Sequence, residues 1–347
     1  MTTGLSDLRL SPAARLAFAA ALLAACLAAR PAAACTVFAL SQGDTIVVGR
    51  NLDIDEPLPG AVLVNPRGVT KSLVPWRGYG PVAYEGETPS WTSRLGSVTF
   101  TCWGRDFIES GMNERGLVVA EANLPAEFPP DDGRPGASCA QWMQYLLDTC
   151  ATVDEALAHA GDLRVDGEDW HFMLTDSAGD CAVVEFIDGR AVAYRGNDLP
   201  HRAMTNSAHV SVTGQLPLDV RFGGEVDIGA VDDSYGRFVR VAALMRDIGL
   251  LDCDGTADCA FHILDSVATG ETARSVVYDT STRRVVWKTP GGREPKWLDL
   301  ASVRLDDGSP TVMVAIETGM VGDATVALEQ FSEDALRSLA GRHEDRR

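Results

Sequence analysis

The chain has 347 residues and a net charge of −19 at pH 7, from 49 Asp and Glu residues against 30 Lys and Arg residues. Such an acidic chain argues against nucleic acid and anionic membrane surfaces as partners, because both would repel it. Hydrophobic residues make up 46% of the sequence, which is enough for one large domain with a substantial core.

The first 34 residues have the pattern of a secretory signal peptide. A basic start precedes an apolar run at 16–29 that is too short to span a bilayer, and small residues follow it up to Ala34. Cleavage after Ala34 would leave Cys35 as the first residue of the mature chain. The sequence therefore predicts a secreted or periplasmic protein.

A second cleavage signal lies inside this leader. The tetrapeptide 23–26, Leu-Ala-Ala-Cys, has the form of a lipoprotein signal, which would attach lipid to Cys26 and leave nine residues ahead of Cys35. In that alternative the protein is anchored to a membrane. Without it no membrane contact is expected, because no other apolar stretch approaches the length of a span.

Beyond the leader we expect a single domain over 35–347, with a polar tail that frays from about residue 341. Short runs of alternating apolar residues, broken by turn residues, are typical of antiparallel strands. The predicted strands are 36–40, 45–52, 98–103, 117–123, 171–175, 181–187, 276–279 and 285–288.

Helical spacing appears in separate blocks. The predicted helices are 139–148, 153–160, 237–248, 256–267 and 332–339. Strand runs and helix runs are interleaved without strict βαβ alternation. This pattern predicts an α+β domain in which antiparallel sheets have helices packed outside them.

Cysteine usage leaves several pairings open in an exported chain. Cys26 leaves with the leader, and Cys253 and Cys259 lie in one short polar loop where they could form a local disulfide. With Cys35 set aside as a candidate nucleophile, four cysteines remain that could pair in three ways, and they are Cys102, Cys139, Cys150 and Cys181. A zinc site is not expected, because no CxxC or Cys/His cluster occurs.

Cys35, as the first residue of a mature chain, would carry its own general base. The free α-amino group lies within reach of the thiol, directly or through one water. The pKa of an α-amino group is about 7.7–8.0 and that of a free cysteine about 8.5, so the proton can pass between them near neutral pH. This arrangement suits attack on an amide carbonyl. The alternative is that Cys35 begins a strand and pairs in a disulfide.

Five separated motifs follow one another along the chain: Cys35-Thr36-Val37-Phe38, Gly49-Arg50-Asn51-Leu52-Asp53, 111–117 running to 122–125, Thr205-Asn206, and Gly236-Arg237-Phe238-Val239-Arg240. Together they resemble the choloylglycine hydrolase family of N-terminal nucleophile hydrolases. That family includes conjugated bile salt hydrolases, penicillin V acylases and acylases of N-acyl homoserine lactones. The resemblance implies a four-layer αββα sandwich with two antiparallel sheets.

The resemblance also implies roles for particular residues around Cys35. Arg50 would lie beside the thiol, where its charge favours the thiolate. Asp53 would accept a hydrogen bond from the α-amino group and orient it. Asn123 and Asn206 would supply donors to the tetrahedral oxyanion, and Arg237 would help to set the charge around the nucleophile. The alternative for each is an ordinary surface, turn or strand-end role.

Other residues in or near the motifs have weaker expectations. Arg240 is expected to form a salt bridge or lie at the surface, and Asn51 and Asn113 to serve turns or hydrogen bonds. Aromatic residues between the second and third motifs could shape an acyl pocket, or they could pack in the core or in loops. They are Trp76, Tyr79, Tyr84, Trp91, Trp103 and Phe107.

The position of Cys35 and the family resemblance together imply a hydrolase of linear amide bonds that needs neither a metal nor an organic cofactor. The expected substrate is a small N-acyl amide: penicillin V or an acyl homoserine lactone first, a conjugated bile salt next, and a fatty acid ethanolamide or ceramide-like amide last. The resemblance suggests a homotetramer as one assembly. Two alternatives are a non-enzymatic exported binding protein on the same fold and a thiol oxidoreductase, which the missing CxxC disfavours.

Overall fold

Two large sheets organise the computed structural model, which describes residues 35–54, 60–290, 294–316 and 321–344. Numbered in chain order, the strands are β1 (Thr36–Gln42), β2 (Thr45–Asp53), β3 (Ala61–Asn65), β4 (Thr70–Ser72), β5 (Trp76–Arg77), β6 (Gly80–Pro81), β7 (Ser90–Thr92), β8 (Ser97–Thr101), β9 (Ser110–Asn113), β10 (Val118–Asn123), β11 (Gly136–Ala137), β12 (Arg164–Val165), β13 (Trp170–Thr175), β14 (Cys181–Ile187), β15 (Arg190–Arg195), β16 (Ala203–Thr205), β17 (Thr272–Asp279), β18 (Arg284–Lys288), β19 (Lys296–Asp299), β20 (Val312–Ala315), β21 (Gly322–Asp323) and β22 (Glu329–Gln330).

The first sheet has the strand order β16-β1-β2-β17-β18-β19-β21, and the second has the order β15-β14-β13-β10-β9-β8-β3-β20-β22. Their long strands pair antiparallel, and only the short β21 joins its sheet in parallel. The β1–β2 hairpin pairs Thr36 with Asn51 and Gln42 with Thr45, so the chain turns tightly at Gly43 with a φ of 59°. This hairpin places the start of the first motif beside the end of the second.

The helices are α1 (Cys139–Thr149), α2 (Val153–His159), α3 (His209–Gln215), α4 (Ser234–Arg246), α5 (Thr256–Ser266) and α6 (Glu333–Glu344). Four predicted helix starts fall within one residue of those observed, whereas α4 begins three residues before the predicted 237. Asp233 causes this earlier start, because its side chain caps the helix by accepting a hydrogen bond from the Gly236 N–H. The sequence does not predict the short helix α3, which carries no clear apolar period.

Side chains from both sheets meet in one buried core, which includes Val37, Val48, Phe100, Met112 and Trp287. A second core lies between the other face of the nine-stranded sheet and helices α1 and α2, and a third between the other face of the seven-stranded sheet and helices α4 and α5. The layers therefore run helix, sheet, sheet, helix. The predicted α+β class and four-layer αββα sandwich are confirmed.

Cys253 and Cys259 form the local disulfide that their shared loop suggested. Cys139, Cys150 and Cys181 are buried thiols, so none of the three pairings left open for the remaining cysteines forms. Each belongs to an apolar core, where a free cysteine acts as a small hydrophobic residue. Within the described residues, no helix is both long and apolar enough to cross a membrane.

Replacing Cys253 and Cys259 together by serine should lower the free energy of unfolding by about 2 kcal/mol, because the bridge closes only a short loop. Helix α5 begins inside that loop, far along the chain from every expected site residue except Arg237. Activity at 25 °C should therefore be retained. Urea denaturation of both proteins measures the difference, and a loss of activity in the folded variant would contradict this prediction.

Candidate active site

Cys35 immediately precedes the strand β1 and is only 1% exposed. Its side chain lines a cavity of about 470 Å³. Burial raises the pKa of the thiol to about 12, and the charge of Glu121 adds to this, whereas Arg50 and a backbone hydrogen bond from Asp53 act in the opposite direction. Buried in this way, the sulfur is a thiol at neutral pH. It needs a proton acceptor before it can attack a carbonyl.

Arg50 lies on β2, opposite Val37 of β1, and is completely buried. Its guanidinium forms a salt bridge with Glu121, lies 3.7 Å from Glu109 and donates to Ser110 Oγ at 3.3 Å. A surface role for Arg50 is therefore excluded. Partners on neighbouring strands of the other sheet fix this charge close enough to Cys35 to favour its thiolate.

Asp53 ends β2 and is also completely buried. Thr272 donates a hydrogen bond of 2.6 Å to Oδ1, and Oδ2 is buried without a hydrogen-bond partner among the described residues. Burial raises the pKa of Asp53 to about 6, although the Thr272 hydrogen bond and the charge of Arg237 oppose the rise. The β1–β2 register, continued by one residue, sets Cys35 opposite Leu52, the neighbour of Asp53, and the main-chain N–H of Asp53 donates to the thiol.

Asn123, Asn206 and Arg237 come together at the same end of the two sheets. Asn206 Nδ2 donates to the main-chain oxygen of Asn123 at 3.1 Å, and Arg237 Nη2 donates to Asn206 Oδ1 at 3.2 Å. The Arg237 contact fixes which end of the Asn206 amide points towards Asn123. Asn123 itself lines the cavity together with Cys35.

Arg237 lies in the first turn of helix α4. Gly236 is needed there, because a Cβ at this position would lie 1.8 Å from the main-chain oxygen of Val231. Arg237 is 2% exposed, and burial lowers the pKa of its guanidinium. One turn later Arg240 forms a salt bridge of 2.9 Å with Asp232, so its expected role away from the site is confirmed.

Asn51 and Asn113 form hydrogen bonds that connect secondary-structure elements around the site. The Asn51 amide donates to Leu264 O at 2.9 Å and accepts from Ser275 Oγ. Asn113 closes the β9–β10 turn through its own side-chain contacts and donates to the carbonyl that follows α1. These hydrogen bonds confirm both expectations.

His171 lies outside the five motifs, yet it links β10, which ends at Asn123, to the end of β16, which Asn206 follows. It lies on β13 opposite Ala122, the neighbour of Asn123, and its Nε2 donates to Thr205 O at 2.7 Å, the carbonyl just before Asn206. A carbonyl can only accept, so Nε2 carries the proton. Only the folded pairing of β13 with β10 reveals this bridge between the two sheets.

A buried charge cluster adjoins the nucleophile, and the motifs predict only its Arg50. The cluster consists of Arg50, Glu109, Glu121, Arg274 and Cys102, and the Arg274–Glu109 salt bridge sits beside the Arg50–Glu121 one. Burial raises the pKa of Glu121 to about 7, with Arg50 opposing it. Burial acts the same way on Glu109, but Arg274 and Arg50 outweigh it and hold the pKa of Glu109 below its usual value.

The cavity is lined mainly by aromatic side chains. Four of the six aromatic residues singled out in the sequence reach it, namely Trp76, Tyr79, Trp103 and Phe107, and Trp170 of β13 joins them. Trp91 instead packs in the core against Tyr145 and donates to Asp148, while Tyr84 is exposed and donates to Gly133 O. The packing alternative therefore holds for Trp91, whereas Tyr84 lies at the surface.

Metal ligands are not grouped around Cys35. No group of three or more His, Cys, Asp or Glu side chains in the described part of the chain could hold a metal ion. The residues around Cys35 are instead arranged in ion pairs and hydrogen bonds with one another. The expectation of a mechanism without metal or cofactor stays a prediction.

The chain is similar to penicillin V acylases. One from Pectobacterium atrosepticum is 30% identical over 256 residues, which is 66% of this chain and 64% of that protein, so the match spans less than two thirds of the relative. The structure of penicillin V acylase from Agrobacterium tumefaciens superposes with a TM-score of 0.71 at 24% identity, covering 86% of this chain and 98% of that one.

A mutant of conjugated bile acid hydrolase from Clostridium perfringens superposes with a TM-score of 0.66 at 17% identity, covering 83% of this chain and 98% of that one. At these identities the two solved structures show a shared fold. The model of the linear amide C-N hydrolases, choloylglycine hydrolase family, matches residues 35–213. Because this match covers more than half of the sequence, the chain belongs to that family.

Proposed function

We propose that this protein is an exported hydrolase of linear N-acyl amides that uses Cys35 as its nucleophile. The observation that carries the proposal is the convergence of Arg50, Asp53, Asn206 and Arg237 around one thiol in an aromatic cavity. Family membership supports the reaction class. Export with cleavage after Ala34 belongs to the same proposal, since the mechanism requires Cys35 to be first.

The reaction begins when the α-amino group of Cys35 takes the thiol proton and the sulfur attacks the amide carbonyl. Asp53 holds the amine, because its Oδ2 is a buried acceptor that a main-chain ammonium next to it would satisfy. Arg50 offsets the cost of forming a thiolate in a buried site. The same amine then protonates the leaving nitrogen, so the proton is passed on within the site.

The tetrahedral intermediate places a negative charge on the former carbonyl oxygen. Asn123 and Asn206 supply the donors for it, and Arg237 keeps the Asn206 amide in one orientation. Collapse of this intermediate leaves the acyl group as a thioester on Cys35 and releases the amine. Water, activated by the free α-amino group, then hydrolyses the thioester and restores the thiol.

The cavity favours an aromatic or aliphatic acyl group, because its walls include three tryptophans, a phenylalanine and Leu52. We therefore place penicillin V first, which also agrees with the name of the Pectobacterium relative, and acyl homoserine lactones beside it. Conjugated bile salts come next.

Hydrolysis of penicillin V, of acyl homoserine lactones with different chain lengths and of glycocholate should be measured with one enzyme preparation, with the Cys35→Ala variant as matched control. The wild-type protein should hydrolyse at least one of these amides, and the variant should hydrolyse none. A wild-type protein that binds an acyl amide but releases no amine would favour the non-enzymatic binding protein instead.

Replacing Asn206 by alanine should lower kcat by roughly 10²–10³-fold with little change in KM, because one oxyanion donor is worth about 2.7–4 kcal/mol in the transition state. Replacing Arg240 by alanine is the control. Arg240 lies one turn from Arg237, the residue that holds the Asn206 amide, but its own salt bridge with Asp232 lies outside the site. Steady-state kinetics on one substrate separate the two. Equal effects of both variants would contradict the assigned role of Asn206.

Replacing His171 by phenylalanine should lower kcat roughly tenfold or more, because Thr205 O loses its buried donor and the end of β16 shifts. Glutamine can still donate to that carbonyl, so His171→Gln should retain most of the activity. The comparison needs kcat and KM for both variants, with thermal melting to check the fold. Equal losses in the two variants would argue against a positioning role.

A further inference from the structure

The geometry points to Glu121 as a substrate-binding residue that selects acyl groups bearing a hydrogen-bond donor, a hydroxyl or an ammonium, on the carbons next to the scissile carbonyl. This inference rests on the proposed function, because it assigns a preference to the acyl side of the same cavity. It concerns a carboxylate that the five sequence motifs did not single out.

The strand β10 sets the distance between Glu121 and the reacting carbonyl. Glu121 and Asn123 are two residues apart on this strand, so their side chains point to the same face, about 6–7 Å from each other. Both line the cavity with Cys35. An acyl group whose carbonyl oxygen is held near Asn123 therefore brings its first two or three carbons past Glu121.

One oxygen of Glu121 is available to a ligand. Oε1 is engaged by the Arg50 guanidinium, whereas Oε2 receives no hydrogen bond from any described residue. The side chain is only 4% exposed, and that remaining exposure faces the cavity it lines. An oxygen that opens into the cavity can accept a hydrogen bond from a hydroxyl or ammonium on the substrate, and the apolar walls around it strengthen such a bond.

The other walls of the cavity offer no equivalent acceptor at this depth among the residues that the structure describes. Glu109 is held by Arg274 and by the Cys102 thiol. Glu168 is less deeply buried than Glu121, and its Oε2 accepts a hydrogen bond from the Cys139 N–H in the first turn of α1. Most of the remaining lining is aromatic or aliphatic. A donor group on the acyl chain thus finds its partner at Glu121.

Two substrate pairs test the preference directly. The first pair is an N-(3-hydroxyacyl) homoserine lactone and the unsubstituted compound of the same chain length; the second is a 2-amino-2-phenylacetyl amide and the phenylacetyl amide of the same amine. The wild-type protein should show at least about tenfold higher kcat/KM for the donor-bearing member of a pair, as expected for a hydrogen bond to a charged group. A ratio near one in both pairs would overturn the inference.

The Glu121→Gln variant separates substrate recognition from support of Arg50. Loss of the charge should reduce the preference for the ammonium-bearing substrate at least about tenfold, whereas Glu168→Gln should leave that ratio within about twofold. If Glu121 served Arg50 alone, both members of the pair would lose rate equally and the ratio would stay unchanged. That result would overturn the inference, as would a ratio that collapses only in Glu168→Gln.

Binding to the Cys35→Ala protein gives a reading that does not depend on turnover. Calorimetric affinities for the same two pairs should show the same preference, and Glu121→Gln in that background should remove it. If the wild-type protein hydrolyses none of these amides but the binding preference appears, the proposed function fails while the assignment of Glu121 stands. Equal binding of both members of each pair would refute the assignment of Glu121 as a substrate-binding residue.

Discussion

Replacing Cys35 by alanine is expected to abolish amide hydrolysis, with residual activity below roughly a thousandth of wild type, because no other side chain replaces a covalent nucleophile. Cys35→Ser should be nearly as inactive, since a hydroxyl is a far weaker nucleophile than a thiol at neutral pH. Both variants should stay folded. The cysteine is small and lies at the start of its strand, where either replacement fits.

Cys181→Ala is the matched control for this prediction. Cys181 is also a buried thiol between the two sheets, but it begins β14 and does not line the cavity. Its loss should change activity little and cost stability only through the small space it leaves. Activity above a few per cent in folded Cys35→Ala, measured by amine release, would point to a different nucleophile.

Inserting one residue between Ala34 and Cys35 that survives processing should lower activity by about 10²–10⁴-fold, which is the usual contribution of a positioned general base. The thiol keeps its place before β1, but the free amine moves one residue away from it and from Asp53. The neighbouring nitrogen of Cys35 becomes an amide, which cannot accept the thiol proton.

The control for this insertion is a residue added within 16–29, which would leave with the leader and yield an unchanged mature chain. Mass spectrometry must establish the N-terminus of each preparation before rates are compared. Full activity of a protein that retains the extra residue would refute the α-amino group as the base. It would leave Cys35 itself as a candidate nucleophile that uses another acceptor.

The main fold features can be predicted because they depend on local pattern. The alternating residues of β1, β2 and β13 and the apolar blocks of α1 and α5 lie within one or a few residues of their predicted bounds. Chain proximity alone suggests the Cys253–Cys259 bridge. Strand β3 escapes prediction, because its continuous apolar run does not alternate and both of its neighbours are distant in sequence.

The sequence motifs predict only some of the residues of the site. The motifs name Arg50, Asp53, Asn206 and Arg237, and the structure brings them together around Cys35. The motifs do not include Glu121 or His171. Glu121 meets Arg50 across 71 residues, and the His171 contact with Thr205 spans 34 residues and two different sheets. Such partners depend on tertiary pairing, which no short window of sequence contains.

Mass spectrometry of the exported, purified protein is the decisive test of Cys35 as an N-terminal nucleophile. The mature chain should begin at Cys35 and gain one acyl group on that residue when quenched during turnover. Alkylation of the same thiol should remove activity in proportion to the modified fraction. An active protein whose chain begins at Cys26, or at any residue before Cys35, would contradict the account.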